Sequence, residues 1–156
     1  MSKPSAIITK LEDCPVWLDR MLLKAYLEAD YLLESLDPPP AKRLLFRFDQ
    51  PANALEQHLK QFDIQSFAIL TAFNPGSNVL PLEENLRRNE LLQQKLLPHC
   101  SLLRKSMNQN AAGEWQEPGF WALNLDLELA VEFGRDFGQL AIVCWKRGEA
   151  VQLWCM

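Results

Sequence analysis

The run Phe67-Ala-Ile-Leu-Thr-Ala-Phe73, stopped at once by Asn74-Pro75-Gly76, constrains this chain more than any other stretch. It is too short for a typical helix, carries a single polar side chain at Thr71, and ends in three turn-forming residues, so it reads as a central strand of a sheet. A helix over about Leu82 to Leu97 follows, supported by Glu83 with Arg87 and Glu84 with Arg88, acid first in each i,i+4 pair. Pro98 ends it. A strand, a tight turn and a helix are therefore fixed in that order at the middle of the chain.

The remaining pattern builds around this unit. Pro15 to Ala29 repeats apolar residues at helical spacing (Val16, Leu18, Leu22, Leu23, Tyr26), and Pro51 to Phe62 does the same with Leu55, Leu59 and Phe62. Tyr31 to Leu36 and Arg43 to Phe48 read as paired strands joined by the stiff loop Asp37-Pro-Pro-Pro40. Residues 100–106 and Phe120 to Leu125 read as strands on either side of a polar turn, Asn108 to Gly113. Asp126 caps a helix that runs to Phe137 and ends at Gly138. Leu140 to Trp145 and Ala150 to Trp154 flank Lys146-Arg-Gly-Glu149, a hairpin signal. The expectation is an α+β fold (mixed α/β), a single mixed sheet of about five to seven strands packed with three or four helices. Residues 1–14 are expected to be disordered and 15–156 to form one domain, a length and a 48% hydrophobic content that suffice for a core without disulfides.

Charge narrows the partners. Sixteen Lys and Arg against twenty Asp and Glu give a net charge of -4, with basic residues scattered in ones and twos, so no nucleic-acid footprint is expected. The first ten residues lack the apolar core of a signal peptide, and no stretch approaches membrane-spanning length, so the expected setting is cytoplasmic, with no membrane partner. Cys14, Cys100, Cys144 and Cys155 lie far apart and read as reduced and structural. His99-Cys100 is the one place where two soft ligands meet, but neighbours on a strand face opposite ways, so no metal site is expected.

The residues that carry chemistry gather at the end of the central strand. Thr71, Asn74 and Ser77 precede a helix on which Asn85 and Asn89 share one stripe with Leu82, Leu86, Leu92 and Leu96. Two amides thus stand where apolar residues belong. They need hydrogen-bond partners, which either the 74–77 loop or a ligand at the helix N-terminus can provide. Trp115 and Glu117, in Gly113-Glu-Trp-Gln-Glu-Pro-Gly119, offer a flat ring and a carboxylate, and Gln139 is a third polar candidate. No phosphate loop, dinucleotide fingerprint, nucleophile elbow or His-Glu-x-x-His motif occurs, so no cofactor is specified. If the site is catalytic, Glu117 is its acid or base.

The same residues make the chain similar to a bacterial family known as domain of unknown function 3293. The similarity runs from about Ala25-Tyr26 to the C-terminus, and its most specific blocks are Phe67 to Ser77, Asn85 to Asn89, Trp115-Gln-Glu117 and Phe137-Gly-Gln-Leu-Ala-Ile142. The resemblance implies no activity, substrate or catalytic residue.

Two functions from different classes stay open. One is a domain that binds a small polar or anionic ligand at the end of strand 67–73 and the start of helix 82–97, with or without catalysis. The other is a non-enzymatic interaction or adaptor domain with a protein partner, presenting aromatic surface at Trp17 or Trp154.

Overall fold

A computed structural model describes residues 3–40 and 42–156. Along them run β1 (Ala6–Ile8), α1 (Arg20–Glu28), β2 (Asp30–Glu34), β3 (Arg43–Phe46), α2 (Asn53–Gln61), β4 (Ser66–Leu70), α3 (Leu82–Leu96), β5 (Leu102–Gln109), β6 (Gln116–Leu123), α4 (Leu127–Asp136), β7 (Ala141–Lys146) and β8 (Gln152–Cys155). Short 3-10 turns occupy 11–13, 75–77 and 97–99. The strands form one eight-stranded sheet in the order β1-β8-β7-β4-β6-β5-β2-β3.

The sheet differs from expectation in two ways. Every pairing is antiparallel rather than mixed. The eighth strand is β1, from the segment expected to be disordered: Ile7 pairs with Trp154, Ile8 is buried, and Ser5 N–H donates to Cys155 O. Three residues with one buried side chain give too weak an alternation to register as a strand. Met1 and Ser2, also within that expectation, lie outside the described residues.

Helices cover both faces. Leu23 and Leu27 of α1 and Leu55 and Leu59 of α2 share a core with Tyr31, Leu33, Phe67, Ile69 and Trp121. Leu92 and Leu96 of α3 and Ala130, Val131 and Phe133 of α4 pack with Leu70, Phe120, Ala122 and Ile142 on the other side. This explains the unbroken apolar runs of β4 and β7, since a strand buried on both faces loses its polar alternation whatever its neighbours' direction. Each fully buried Leu or Phe contributes about 1.5–3 kcal/mol of transfer free energy. Among the described residues no helix is long and apolar enough to cross a membrane.

Several boundaries shift for local reasons. α1 begins at Arg20 rather than Pro15, because the Asp19 side chain accepts from Leu22 N–H at 3.1 Å and residues 15–18 form a separate turn. β4 stops at Leu70, three residues before the apolar run ends. Asn108 and Gln109 belong to β5 rather than to the turn, which leaves 110–115 to reverse the chain.

Candidate functional site

The site originates where β4 leaves the sheet. Leu70 is its last ladder residue, opposite Phe120, so beyond it β6 lacks a neighbouring strand on that side. Side chains take over the ladder. Asn89 Oδ1 accepts from Ala72 N–H (2.8 Å) while its Nδ2 donates to Pro118 O (2.8 Å), and Thr71 Oγ1 donates to the same carbonyl (2.6 Å) while accepting from Phe73 N–H (3.1 Å). The Arg88 guanidinium donates to Ala72 O and Phe137 O and stacks on the Phe137 ring.

The next four residues turn sharply. Asn74, Gly76 and Ser77 all have left-handed φ (48°, 62° and 63°). The turn docks on the α4–β7 connection, where Gly76 N–H donates to Gly138 O and a Cβ on Gly138 would lie 2.6 Å from Pro75 Cβ. Asn85 fixes the turn: its Oδ1 accepts from Asn74 N–H (2.9 Å) and its Nδ2 donates to Asn74 Oδ1 (2.8 Å). Asn85 and Asn89 thus each bond protein groups through both the oxygen and the nitrogen of the amide. The stripe on which they lie continues through Leu92 and Leu96, while Leu82 and Leu86, expected on the inward face, are exposed.

Asn74, held this way, points its own Nδ2 at Glu117 Oε1 (3.3 Å), which also accepts from Trp115 Nε1 (3.2 Å). Glu117 is 7% exposed, and burial raises its carboxyl above the ordinary range against the opposing effect of these two bonds. Its other oxygen, Oε2, makes no hydrogen bond among the described residues. Asn108, directly opposite Glu117 in the β5–β6 ladder, keeps a buried Oδ1 without a partner.

A cavity of about 510 Å³ opens beside this carboxylate. Its walls come from α1, the loop after β4, the β5–β6 turn and the α4–β7 connection. Of the residues singled out from sequence, Asn74, Ser77, Trp115, Glu117 and Gln139 line it. Thr71, Asn85 and Asn89 do not; they stand behind the wall and hold its backbone. Gln139 is buried, with Nε2 donating to Phe73 O at 3.2 Å.

Sequence reasoning missed the α1 wall, Leu22, Ala25 and Tyr26, together with Phe73 and Asn110. The signal was present in α1: Leu22 and Tyr26 form a second apolar stripe beside Leu23 and Leu27, wider than packing on the sheet alone uses. The Tyr26 hydroxyl, raised in pKa by burial and then by the Glu117 charge, stays protonated and makes no hydrogen bond among the described residues. The lining holds two carboxylates, Glu117 and the exposed Glu28, and no Lys or Arg.

The other candidates fall elsewhere. Trp154 is 6% exposed, its ring within the α3–α4 core and its Nε1 donating to Gln152 Oε1, so it offers no surface; Trp17 is 62% exposed. His99 lies in the 97–99 turn rather than on a strand, and its ring approaches Phe133. His58 Nε2 accepts from Leu36 N–H at 2.8 Å, a structural role.

One family model matches the chain, described as protein of unknown function (DUF3293), over residues 70–142. Over that stretch the chain is similar to DUF3293. The match begins at the last residue of β4 and ends in β7, so it spans the turn at 74–77, α3, the β5–β6 hairpin and α4, which supply three of the four cavity walls. The resemblance expected from Ala25 to the C-terminus is matched over that shorter stretch, with α1 outside it. Comparisons with curated proteins and with solved structures gave no match.

Proposed function

We propose that this chain is a small-ligand-binding domain whose site is the cavity at the splayed end of β4. The carrying observation is the buried Glu117, one oxygen fixed by Asn74 and Trp115 and the other unpaired beside about 510 Å³ of open space. A buried carboxylate is costly, and a chain needing only a packed wall there is served as well by an apolar residue. Largely preformed apolar cavities with a few convergent polar groups are the usual form of small-molecule sites. Should the bound ligand also react, Glu117 is the group placed to exchange a proton with it. The helix N-terminus that motivated an anionic ligand is not part of the lining, and two carboxylates oppose an anion, so we favour a ligand that donates hydrogen bonds. The cytoplasmic setting expected from sequence goes with this reading.

The test is a fragment screen followed by amide and indole chemical shifts, repeated on Ala25→Trp, which fills the mouth from an exposed position. Expected are perturbations at the Trp115 indole N–H and the Asn74 and Gln139 amides that vanish in Ala25→Trp. Fragments that shift only resonances away from these walls, or none at all, overturn the reading.

The adaptor alternative rests on the exposed Val16 and Trp17, in the turn before α1, and Met21 in its first turn. Loss of a partner on Trp17→Ala, with an empty cavity, would favour it.

A further inference from the structure

Resting on that reading, we propose that the ligand is an organic cation: an apolar body carrying an ammonium group that sits against Glu117 among the rings of Tyr26, Phe73 and Trp115.

The argument is one of hydrogen-bond supply and charge. The wall's strongest donors are turned away from the cavity and onto the protein itself: Trp115 Nε1 and Asn74 Nδ2 onto Glu117, Gln139 Nε2 onto Phe73 O. Glu117 and Gln139 line the space, and their remaining oxygens, Glu117 Oε2 and Gln139 Oε1, both acceptors, make no hydrogen bond among the described residues. The neutral Tyr26 hydroxyl and the Asn110 side-chain nitrogen add uncharged donors. Of the nearby cations, Arg88 directs its guanidinium at Ala72 O and Phe137 O, outside the lining, and Lys24 pairs with the exposed Glu28 at 3.9 Å, leaving Glu117 without a cationic partner among the described residues. A carboxylate with aromatic faces around it and no basic residue is complementary to a positive charge, which aromatic rings attract through their quadrupole and a desolvated carboxylate through a charge-assisted bond.

A pH signature follows. Glu117 titrates above the ordinary carboxyl range because it is buried; the titratable groups coupled to it are the neutral phenols of Tyr26 and Tyr31, and the other charged group in the lining is the exposed Glu28, paired with Lys24. An ammonium ligand favours the ionised carboxyl. Affinity is therefore fully present above the carboxyl's pKa in the free protein and declines as pH falls through it.

The experiment titrates the full chain with matched triplets, an amine, an alcohol and a carboxylate, on phenethyl, cyclohexylethyl and indolylethyl bodies. Expected is about tenfold or greater preference for the amine within a triplet, and loss of that preference in Glu117→Gln, with amine binding falling more than alcohol binding. Alcohols or carboxylates that bind as well as amines in the cavity overturn the cation assignment and leave the cavity reading standing. An amine preference that survives in Glu117→Gln also overturns it. If no member of any triplet binds, and Ala25→Trp behaves as the unmodified protein, the cavity reading fails and the assignment with it.

Discussion

Asn89 occupies a position that periodicity reserves for an apolar residue, and its two hydrogen bonds replace two rungs that β4 no longer makes with β6. Removing the amide leaves Ala72 N–H and one lone pair of Pro118 O without that partner inside the protein. Asn89→Ala is expected to cost about 1–3 kcal/mol for the buried donor alone. For a chain of this size that lowers Tm by roughly 2–4 °C per kcal/mol, measured by calorimetry. Ligand binding at a temperature where the variant remains folded should survive, because Asn89 does not line the cavity. A variant that melts normally but binds nothing would reverse the assignment of roles. Asn85 acts one step closer, through Asn74 to Glu117, so the same truncation there is expected to disturb both.

At the scale of elements, the turn at 74–77 and the connection around Gly138 behave as one unit. Gly138 has φ +73° and its missing Cβ leaves room for Pro75, whereas Gly148, in the β7–β8 hairpin, has φ +86° and nothing within 4 Å of where a Cβ would sit. Gly148→Ala should therefore show only the left-handed penalty, roughly 1–2 kcal/mol. Gly138→Ala adds an overpacking cost of about 1–3 kcal/mol and should also displace the loop that carries Asn74. Equal denaturation midpoints for the two variants would show that the docking contributes nothing. This is also the scale at which sequence was most informative. The apolar run of β4, the helical stretch of α3 and the Asp126 cap of α4 are local signals, and each lies within a few residues of its structural counterpart, although the i,i+4 pairs expected on α3 do not form among the described residues and Arg88 turns to Ala72 O and Phe137 O. Strand direction was not legible, because burial on both faces erases the alternation that distinguishes an antiparallel sheet with one open face. The candidate site was half legible for a related reason: unusual polar residues mark the neighbourhood, but sequence cannot separate Asn74, which meets the cavity, from Asn85, which meets Asn74. The wall from α1 was legible only as the extra width of its apolar stripe, because Leu22 and Tyr26 taken singly look like ordinary core residues.

Over the whole molecule, the two edges of the sheet are treated differently. β3 ends one side, and Arg43 sits in it opposite Glu34. On the other side β1 lies over β8, whose Leu153, Trp154 and Cys155 are all buried. Uncovered, β8 would be an apolar edge strand, a template for pairing between chains. Deleting residues 1–9 is expected to lower Tm modestly and to produce concentration-dependent self-association in sedimentation velocity, while the unmodified chain shows less. A deletion variant that stays at the same mass and stability as the unmodified chain would deny β1 this role.

The β1–β8 ladder joins segments from opposite ends of the described chain. Its entropic cost grows only logarithmically with that separation, so the penalty falls on timing more than on stability. During synthesis Ala6–Ile8 emerges early and must wait, unpaired, until Gln152–Cys155 has been made. The strand that shields the finished sheet is thus exposed on the nascent chain before its partner strand exists, and any factor that attends its birth has that interval in which to act.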